Sequence, residues 1–94
     1  MAVVWIPSLL QGLTDGAATV TVPGRTLRQV IDNLEARYPG VKERLVDTEE
    51  GRLQPEIAAA IDGDTEHLGL IQPLEEDSEI QFIPAVSGGA PDSE

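Results

Sequence analysis

The side chains that most often carry out catalysis are scarce in this sequence of 94 residues. There is no cysteine, and His67 is the only histidine. A cysteine nucleophile and a zinc site made of cysteine and histidine are therefore excluded within the chain. The 17 acidic residues show no paired spacing that would suggest a general acid and a general base. We therefore expect a protein that is not itself an enzyme.

One acidic stretch could be considered as a metal site. It contains Asp62, Asp64, Glu66 and His67. Calcium loops require more oxygen ligands at set positions than this stretch supplies. A solvated acidic loop is the favoured interpretation, and we predict no metal site.

The remaining candidate for chemistry is the dipeptide Gly88-Gly89 near the C-terminus. With nine glycines in the chain, chance alone gives about one adjacent pair, so the dipeptide by itself is not a motif. It indicates a function only through the segments that precede and position it.

Two strands are predicted at the start of the chain. Residues 2–7 are apolar and end at a proline, which is typical of a core strand, and Leu9 and Leu10 are expected to continue the core. In residues 18–22, alanine and valine alternate with threonine, the period of a strand with one buried face. The two strands are expected to form a hairpin.

A single long helix is predicted next. Thr26 followed by Gln29 forms a capping-box pattern, and Pro39 with Gly40 ends the helix. The apolar positions follow the spacing of one helical face, namely Leu27, Val30, Ile31, Leu34 and Tyr38.

The second half of the chain predicts shorter elements. Val41 and Leu45 are spaced for one more helical turn, and residues 47–51 form a polar loop. Residues 57–61 predict a short strand, a turn at 62–64 reverses the chain, and residues 65–70 supply its partner strand. The last strand carries Ile80 and Phe82. We expect Trp5, Tyr38 and Phe82 to lie in the core.

The order of elements favours an α+β fold in which one main helix covers one face of a mixed sheet. The ubiquitin-like β-grasp is the leading candidate. A ferredoxin-like fold is the alternative, but it requires a second helix of good length, which residues 41–56 do not provide.

Length and charge limit the organisation and the partners. The chain is predicted to form one domain over residues 1–86, followed by a flexible tail over residues 87–94. A formal charge of −11 disfavours binding to DNA or RNA and favours basic protein partners. No apolar run reaches the ~20 residues of a membrane span and no signal peptide is visible, so we place the chain in the cytoplasm.

Residues 79–89, with the sequence EIQFIPAVSGG, resemble the C-terminal end of the MoaD/ThiS family of ubiquitin-like sulfur carriers. In that family the last strand leads through a proline to a terminal diglycine. The resemblance extends loosely over residues 3–89. Ile6-Pro7, Leu9-Leu10 and residues 34–45 look most similar to the branch that serves cysteine biosynthesis in actinobacteria.

The resemblance implies a carrier with no bound cofactor. An E1-like adenylyltransferase would use ATP and magnesium to adenylate the Gly89 carboxylate, and a sulfur donor enzyme would convert it to a thiocarboxylate. A sulfur-accepting biosynthetic enzyme would receive the sulfur. The tail that enters the partner's active site would be Val86, Ser87, Gly88 and Gly89, where the two glycines make a thin, extendable stalk.

The sequence departs from the family pattern because residues 90–94 follow the diglycine. The amide between Gly89 and Ala90 cannot be adenylated, so the resemblance implies removal of this extension by a metalloprotease of the JAMM type. Pro91 biases Ala90 towards an extended conformation, which suits a protease groove. The alternative is an ordinary inert terminus.

Three functional hypotheses therefore stay open. The first is a sulfur carrier activated at Gly89. The second is a ubiquitin-like modifier that is conjugated to lysines of other proteins through the same terminus. The third is a β-grasp interaction module that is never activated, for which removal of residues 88–94 would change no binding.

Overall fold

The computed structural model describes residues 1–55, 57–65 and 68–84. Its seven strands are β1 (Ala2–Trp5), β2 (Thr19–Val22), β3 (Val46–Asp47), β4 (Arg52–Leu53), β5 (Ile57–Ile61), β6 (Asp64–Thr65) and β7 (Glu79–Pro84). The α-helices are α1 (Leu27–Arg37) and α2 (Val41–Leu45), and two 3-10 helical segments span Ser8–Thr14 and Gly69–Ile71.

Five strands form one mixed sheet in the order β2-β1-β7-β5-β6. The first and last strands pair in parallel, with Val3 opposite Glu79 and Trp5 opposite Gln81. All other pairs in this sheet are antiparallel. The predicted α+β β-grasp architecture is confirmed, since a hairpin, a helix and a central last strand follow in that order.

Helix α1 begins as the sequence predicts. The Thr26 hydroxyl accepts a hydrogen bond from the backbone N–H of Gln29 at 3.2 Å. The Gln29 side-chain oxygen accepts a hydrogen bond from the backbone N–H of Arg25 at 2.8 Å. In an ideal capping box this oxygen would bond the N–H of the N-cap residue itself, which here is Thr26. The two bonds fix the entry into the helix.

The core lies between helix α1 and the inner face of the sheet. Leu27, Val30, Ile31 and Leu34 are fully buried on the helix, as their spacing predicts. They pack in one cluster with the inward residues of the sheet, namely Ala2, Val4, Val20, Val22, Ala59, Ile80 and Phe82. Tyr38 is partly buried against this cluster.

Two expectations about the core are wrong. Trp5 is 43% exposed, because Ala2 and Val4 use the inward positions of β1 and the strand period of two turns Val3 and Trp5 to the opposite face. Leu9 is 94% exposed. Leu9 lies in a 3-10 helical segment, in which residues three positions apart are on the same side. Leu10 and Leu13 occupy the side that faces the core, so Leu9 faces solvent.

The second half of the chain agrees with the sequence in part. The turn predicted at 62–64 is a two-residue hairpin in which Asp62 and Gly63 have φ values of 52° and 90°. Among the described residues its partner strand is Asp64–Thr65, and Gly69–Ile71 is 3-10 helical. The strand predicted over 65–70 is therefore confirmed at residue 65 and wrong at 68–70, while residues 66 and 67 lie outside the described residues. The polar loop predicted at 47–51 connects β3 to β4 in a small hairpin and overlaps the strands only at Asp47, the last residue of β3.

One edge of the large sheet is covered by side chains from helix α1. Arg37 donates to the carbonyl oxygen of Thr21 at 3.1 Å, and Asn33 donates to that of Pro23 at 2.7 Å. These bonds use carbonyl groups at the β2 edge that would otherwise be open to pairing with another strand.

Candidate functional site

The residues predicted to take part in chemistry are Val86, Ser87, Gly88, Gly89 and Ala90. All of them lie outside the described residues. The structure therefore describes the base of the site, which is the strand that leads into it, and the surface around that strand. Pro84 is the last residue of β7.

Strand β7 is central in the sheet and firmly held. It lies between β1 and β5, and its pairing with β5 continues to Pro84, which is opposite Ile57. Ile80 is fully buried and Phe82 is nearly so. Each such side chain contributes about 1.5–3 kcal/mol by leaving water. A tail that follows β7 therefore starts from a fixed point of the fold.

The start of β7 is tied to both neighbouring strands. The backbone N–H of Val3 donates to the carbonyl of Ser78 at 2.9 Å. Glu79 exchanges two hydrogen bonds with Asp62, in the turn between β5 and β6: the Asp62 N–H donates to the Glu79 carbonyl, and the Glu79 N–H donates to the Asp62 carboxylate, both at 2.9 Å. The orientation of the strand is thus set at its beginning as well as along its length.

The sheet face opposite helix α1, which we call the outer face, carries the alternate residues of each strand. On β7 these are Glu79, Gln81 and Ile83, with Ile83 44% exposed. Trp5 and Ala60 flank Gln81, and Ala58 lies opposite Ile83. The outer face is consequently apolar around the end of β7 that is nearest the tail.

A side-chain hydrogen bond crosses this face. The indole N–H of Trp5 donates to a carboxylate oxygen of Glu79 at 3.2 Å. This bond holds the exposed ring beside an acidic group. The apolar pattern of β1 predicts Trp5 in the core and so gives no sign of this pair. The β-grasp fold requires parallel pairing of the first and last strands. This pairing could have predicted that Trp5 lies beside the polar residues Glu79 and Gln81.

One residue of the acidic stretch considered as a metal site, Asp62, has a structural role. The Asp62 carboxylate accepts the Glu79 N–H, while Glu66 and His67 lie outside the described residues. In residues 1–55, 57–65 and 68–84, no group of three or more acidic or histidine side chains is placed to hold a metal ion. Over those same ranges, no helix is long and apolar enough to span a membrane.

Comparison with protein families gives a match over residues 9–89 to the ThiS family. The chain belongs to the ThiS family. The match ends at Gly89, the second residue of the diglycine, and leaves residues 90–94 outside.

Several known proteins are similar to this chain over nearly their whole length. The chain is 34% identical over 87 residues to the sulfur carrier protein CysO of Mycobacterium tuberculosis, covering 89% of this chain and 94% of that protein. A chain of the crystallised BexX/CysO complex of Amycolatopsis orientalis matches with a TM-score of 0.85 and 31% identity, over 95% of this chain and all of that chain. The small archaeal modifier protein SAMP1 of Methanosarcina acetivorans matches with a TM-score of 0.74 and 27% identity, over 94% and 95%.

Proposed function

We propose that this chain is a sulfur-carrier protein that works through the carboxylate of Gly89. The observation that supports this most directly is the family match, which runs to Gly89 and stops there. The 34% identity to the sulfur carrier CysO supports the same role. It also supports the cysteine branch expected from Ile6-Pro7, Leu9-Leu10 and residues 34–45. The chain itself is not an enzyme, as its carrier relatives are not.

The proposed reaction has two steps on the partner enzyme. First, a carboxylate oxygen of Gly89 attacks the α-phosphorus of ATP, pyrophosphate leaves, and an acyl adenylate forms. ATP and magnesium belong to the adenylating enzyme. Second, a hydrosulfide ion supplied by a donor enzyme attacks the acyl carbon and AMP leaves, so that one oxygen of the terminal carboxylate is replaced by sulfur. A biosynthetic enzyme then accepts that sulfur.

Activation requires a free carboxylate at Gly89, so we propose that residues 90–94 are removed first. In the peptide bond, the Gly89 acyl carbon is bound to nitrogen, and no carboxylate oxygen is available to attack ATP. Addition of water across the Gly89–Ala90 bond produces the carboxylate and releases the extension. A zinc metalloprotease of the JAMM type would carry out this step in the cytoplasm.

The fold contributes position rather than chemistry in this proposal. Strand β7 is fixed by its neighbours up to Pro84, and four residues lie between Pro84 and Gly89. The glycines add little cross-section, so the terminus fits an active site that excludes water. The carrier relative in the BexX/CysO complex is a precedent for binding to a partner protein.

The experiment uses a version of the chain that ends at Gly89. It is incubated with ATP, magnesium, sulfide and an extract of its source organism, and its intact mass is measured. The proposal predicts a gain equal to one exchange of oxygen for sulfur, which depends on ATP. The matched control is the full-length chain with Ala90→Pro, in which a tertiary amide after Gly89 resists cleavage, and it should gain nothing. An unchanged mass of the chain ending at Gly89 would contradict the proposal.

A second candidate function is conjugation to other proteins. The similarity to the small archaeal modifier protein SAMP1 favours it, since the two chains match over nearly their whole length. It uses the same acyl adenylate, but a lysine amine instead of sulfur attacks the acyl carbon. Larger species that carry this chain on lysines of other proteins, and that disappear when Gly89 is absent, would support it over the carrier function.

A further inference from the structure

A hollow of about 210 Å³ lies on the side of the molecule that carries helix α1, and we call it the helix-side hollow. It is bounded by α1, the β3–β4 hairpin and the 3-10 segment Gly69–Ile71. Its wall combines aliphatic and polar side chains, chiefly Ile31, Val46, Ile71, Arg28, Lys42 and Thr48. Such a wall fits an occupant that has both apolar and polar groups.

One cation at the hollow is free to bind an anion. The exposed guanidinium of Arg28 makes no hydrogen bond or ion pair within residues 1–55, 57–65 and 68–84. The other cation, Lys42, is already bound to Asp32 at 2.7 Å. Ile71, which also lines the hollow, is 69% exposed. Because arginine donates two parallel hydrogen bonds to a carboxylate, a segment with a carboxylate beside small apolar groups fits here.

The charge of the chain favours an occupant from the same chain. With 17 acidic against 6 basic residues, the chain repels an acidic segment of another protein at long range. A segment of the same chain does not have to approach from a distance, since a short tether holds it at an effective concentration of about a millimolar. Residues 90–94 have the matching chemistry, because Asp92 and Glu94 follow Ala90 and Pro91 and no cation is present among them.

These acidic residues are close enough along the chain to reach the hollow. Pro84, at the end of β7, is opposite Ile57. Leu53 is four residues before Ile57 and is opposite Val46, which lines the hollow. This path from Pro84 to Val46 is at most about 24 Å long. Asp92 is eight residues after Pro84, and eight extended residues span about 27 Å.

We propose that the helix-side hollow binds residues 92–94 of the same chain, with the carboxylates of Asp92 and Glu94 against the Arg28 guanidinium. The segment that contains Gly89 would then run along the body of the molecule while the extension is attached. An unprocessed chain would present no extended stalk to the adenylating enzyme, and removal of residues 90–94 would release it. This consequence for activation rests on the carrier function proposed above, whereas the contact with Arg28 does not.

The test compares the full chain with the chain that ends at Gly89 by NMR of the backbone amides. The amide signals of Arg28, Thr48 and Ile71 should differ between the two chains, because only one of them carries the acidic residues. The differences should shrink to less than about half between about 10 mM and about 1 M salt, as the screening length falls from about 30 Å to about 3 Å.

Charge reversal at Arg28 tests the contact itself. When both chains carry Arg28→Glu, the difference between them at Thr48 and Ile71 should fall by at least about threefold. Adding Asp92→Lys and Glu94→Lys to the full chain should restore at least about half of it, because the charges are again opposite. Glutamate near the start of α1 suits the helix dipole, so the fold should be kept.

The matched control is Arg44→Glu, which makes the same charge change on the exposed side of α2. Arg44 is not among the residues that line the hollow. The difference between the full chain and the chain that ends at Gly89 should therefore stay within about a fifth of the wild-type value, since distant charges are screened.

The outcomes separate this contact from the carrier function. Identical signals at the hollow in the two chains, or equal effects of Arg28→Glu and Arg44→Glu, would overturn the contact while the carrier function stands. Differences that grow with protein concentration would also overturn it, because they would show binding to a second copy. If the differences follow the prediction but the chain ending at Gly89 never gains sulfur, the contact stands and the carrier function fails.

Discussion

Asp62 and Glu79 are joined by two hydrogen bonds of 2.9 Å, one between their backbones and one from the Glu79 N–H to the Asp62 carboxylate. The pair connects the β5–β6 turn to the first residue of β7. Asp62 also has a left-handed backbone, with φ at 52°. The same residue therefore makes the turn and fixes the strand that leads to the diglycine.

Replacing Asp62 by alanine should destabilise the fold by about 1–2 kcal/mol. The change removes the bond to the Glu79 N–H and places alanine in a left-handed conformation that it disfavours. Asp62→Asn is the matched control, because asparagine tolerates this conformation and keeps an acceptor oxygen. Urea unfolding measures both. Equal stabilities of the two variants would contradict the structural role of the side chain.

Gly24 should not tolerate a side chain. A Cβ at this position would lie 2.6 Å from Cγ2 of Val30 and 2.8 Å from its backbone nitrogen. Gly24→Ala is expected to destabilise by about 1–3 kcal/mol. Val30→Ala in the same chain should not restore stability, because the backbone nitrogen remains. Gly12→Ala, where nothing lies within 4 Å, is the control for thermal unfolding. If the double variant regained the thermal stability of the wild type, the contact with the Val30 backbone nitrogen would not be the cause of the destabilisation.

Glu35 connects the two helices through the backbone of the turn between them. Its carboxylate accepts from the N–H groups of Gly40, at 3.1 and 3.2 Å, and of Lys42, at 2.8 Å. Glu35→Ala leaves these donors unpaired near the start of α2 and should destabilise by about 1–2 kcal/mol. Glu43→Ala, on the exposed side of α2, is the control. Hydrogen exchange should become faster at Lys42 in the first variant only, and unchanged exchange there would contradict this prediction.

A bulky residue at Gly89 should abolish activation without affecting the fold. Gly89→Trp enlarges the cross-section of the terminus that must enter the adenylating site, so the rate of ATP-dependent mass gain should fall by at least about a hundredfold. Gly12→Ala again serves as the control, and thermal unfolding should be equal to the wild type in both. Full activation of the Gly89→Trp chain would refute the thin-stalk explanation.

Local signals in the sequence were sufficient for elements whose geometry depends on near neighbours. The Thr26–Gln29 cap, the buried face of α1 and the Asp62-Gly63 turn are all found where the spacing predicts them. Each of these is decided by residues within about four positions along the chain, where backbone hydrogen bonding and sterics act directly.

Features that depend on distant pairing were not predictable in the same way. In β1, residues 2–6 are all apolar, so the sequence cannot say which alternate set faces the core. The parallel pairing with β7 decides this and turns Trp5 outward. The strands of the β3–β4 hairpin are two residues long, too short to show any alternation. The diglycine acquired meaning only from the segment before it, because glycine pairs occur by chance.

The carrier function is tested first by the intact mass of the chain purified from its own cells, before and after incubation with ATP and sulfide in an extract of those cells. A carrier should be recovered as a species that ends at Gly89 and should then gain the mass of one exchange of oxygen for sulfur. A full-length chain that still carries residues 90–94 and keeps the same mass in both samples would contradict the carrier function and favour an interaction module that is never activated.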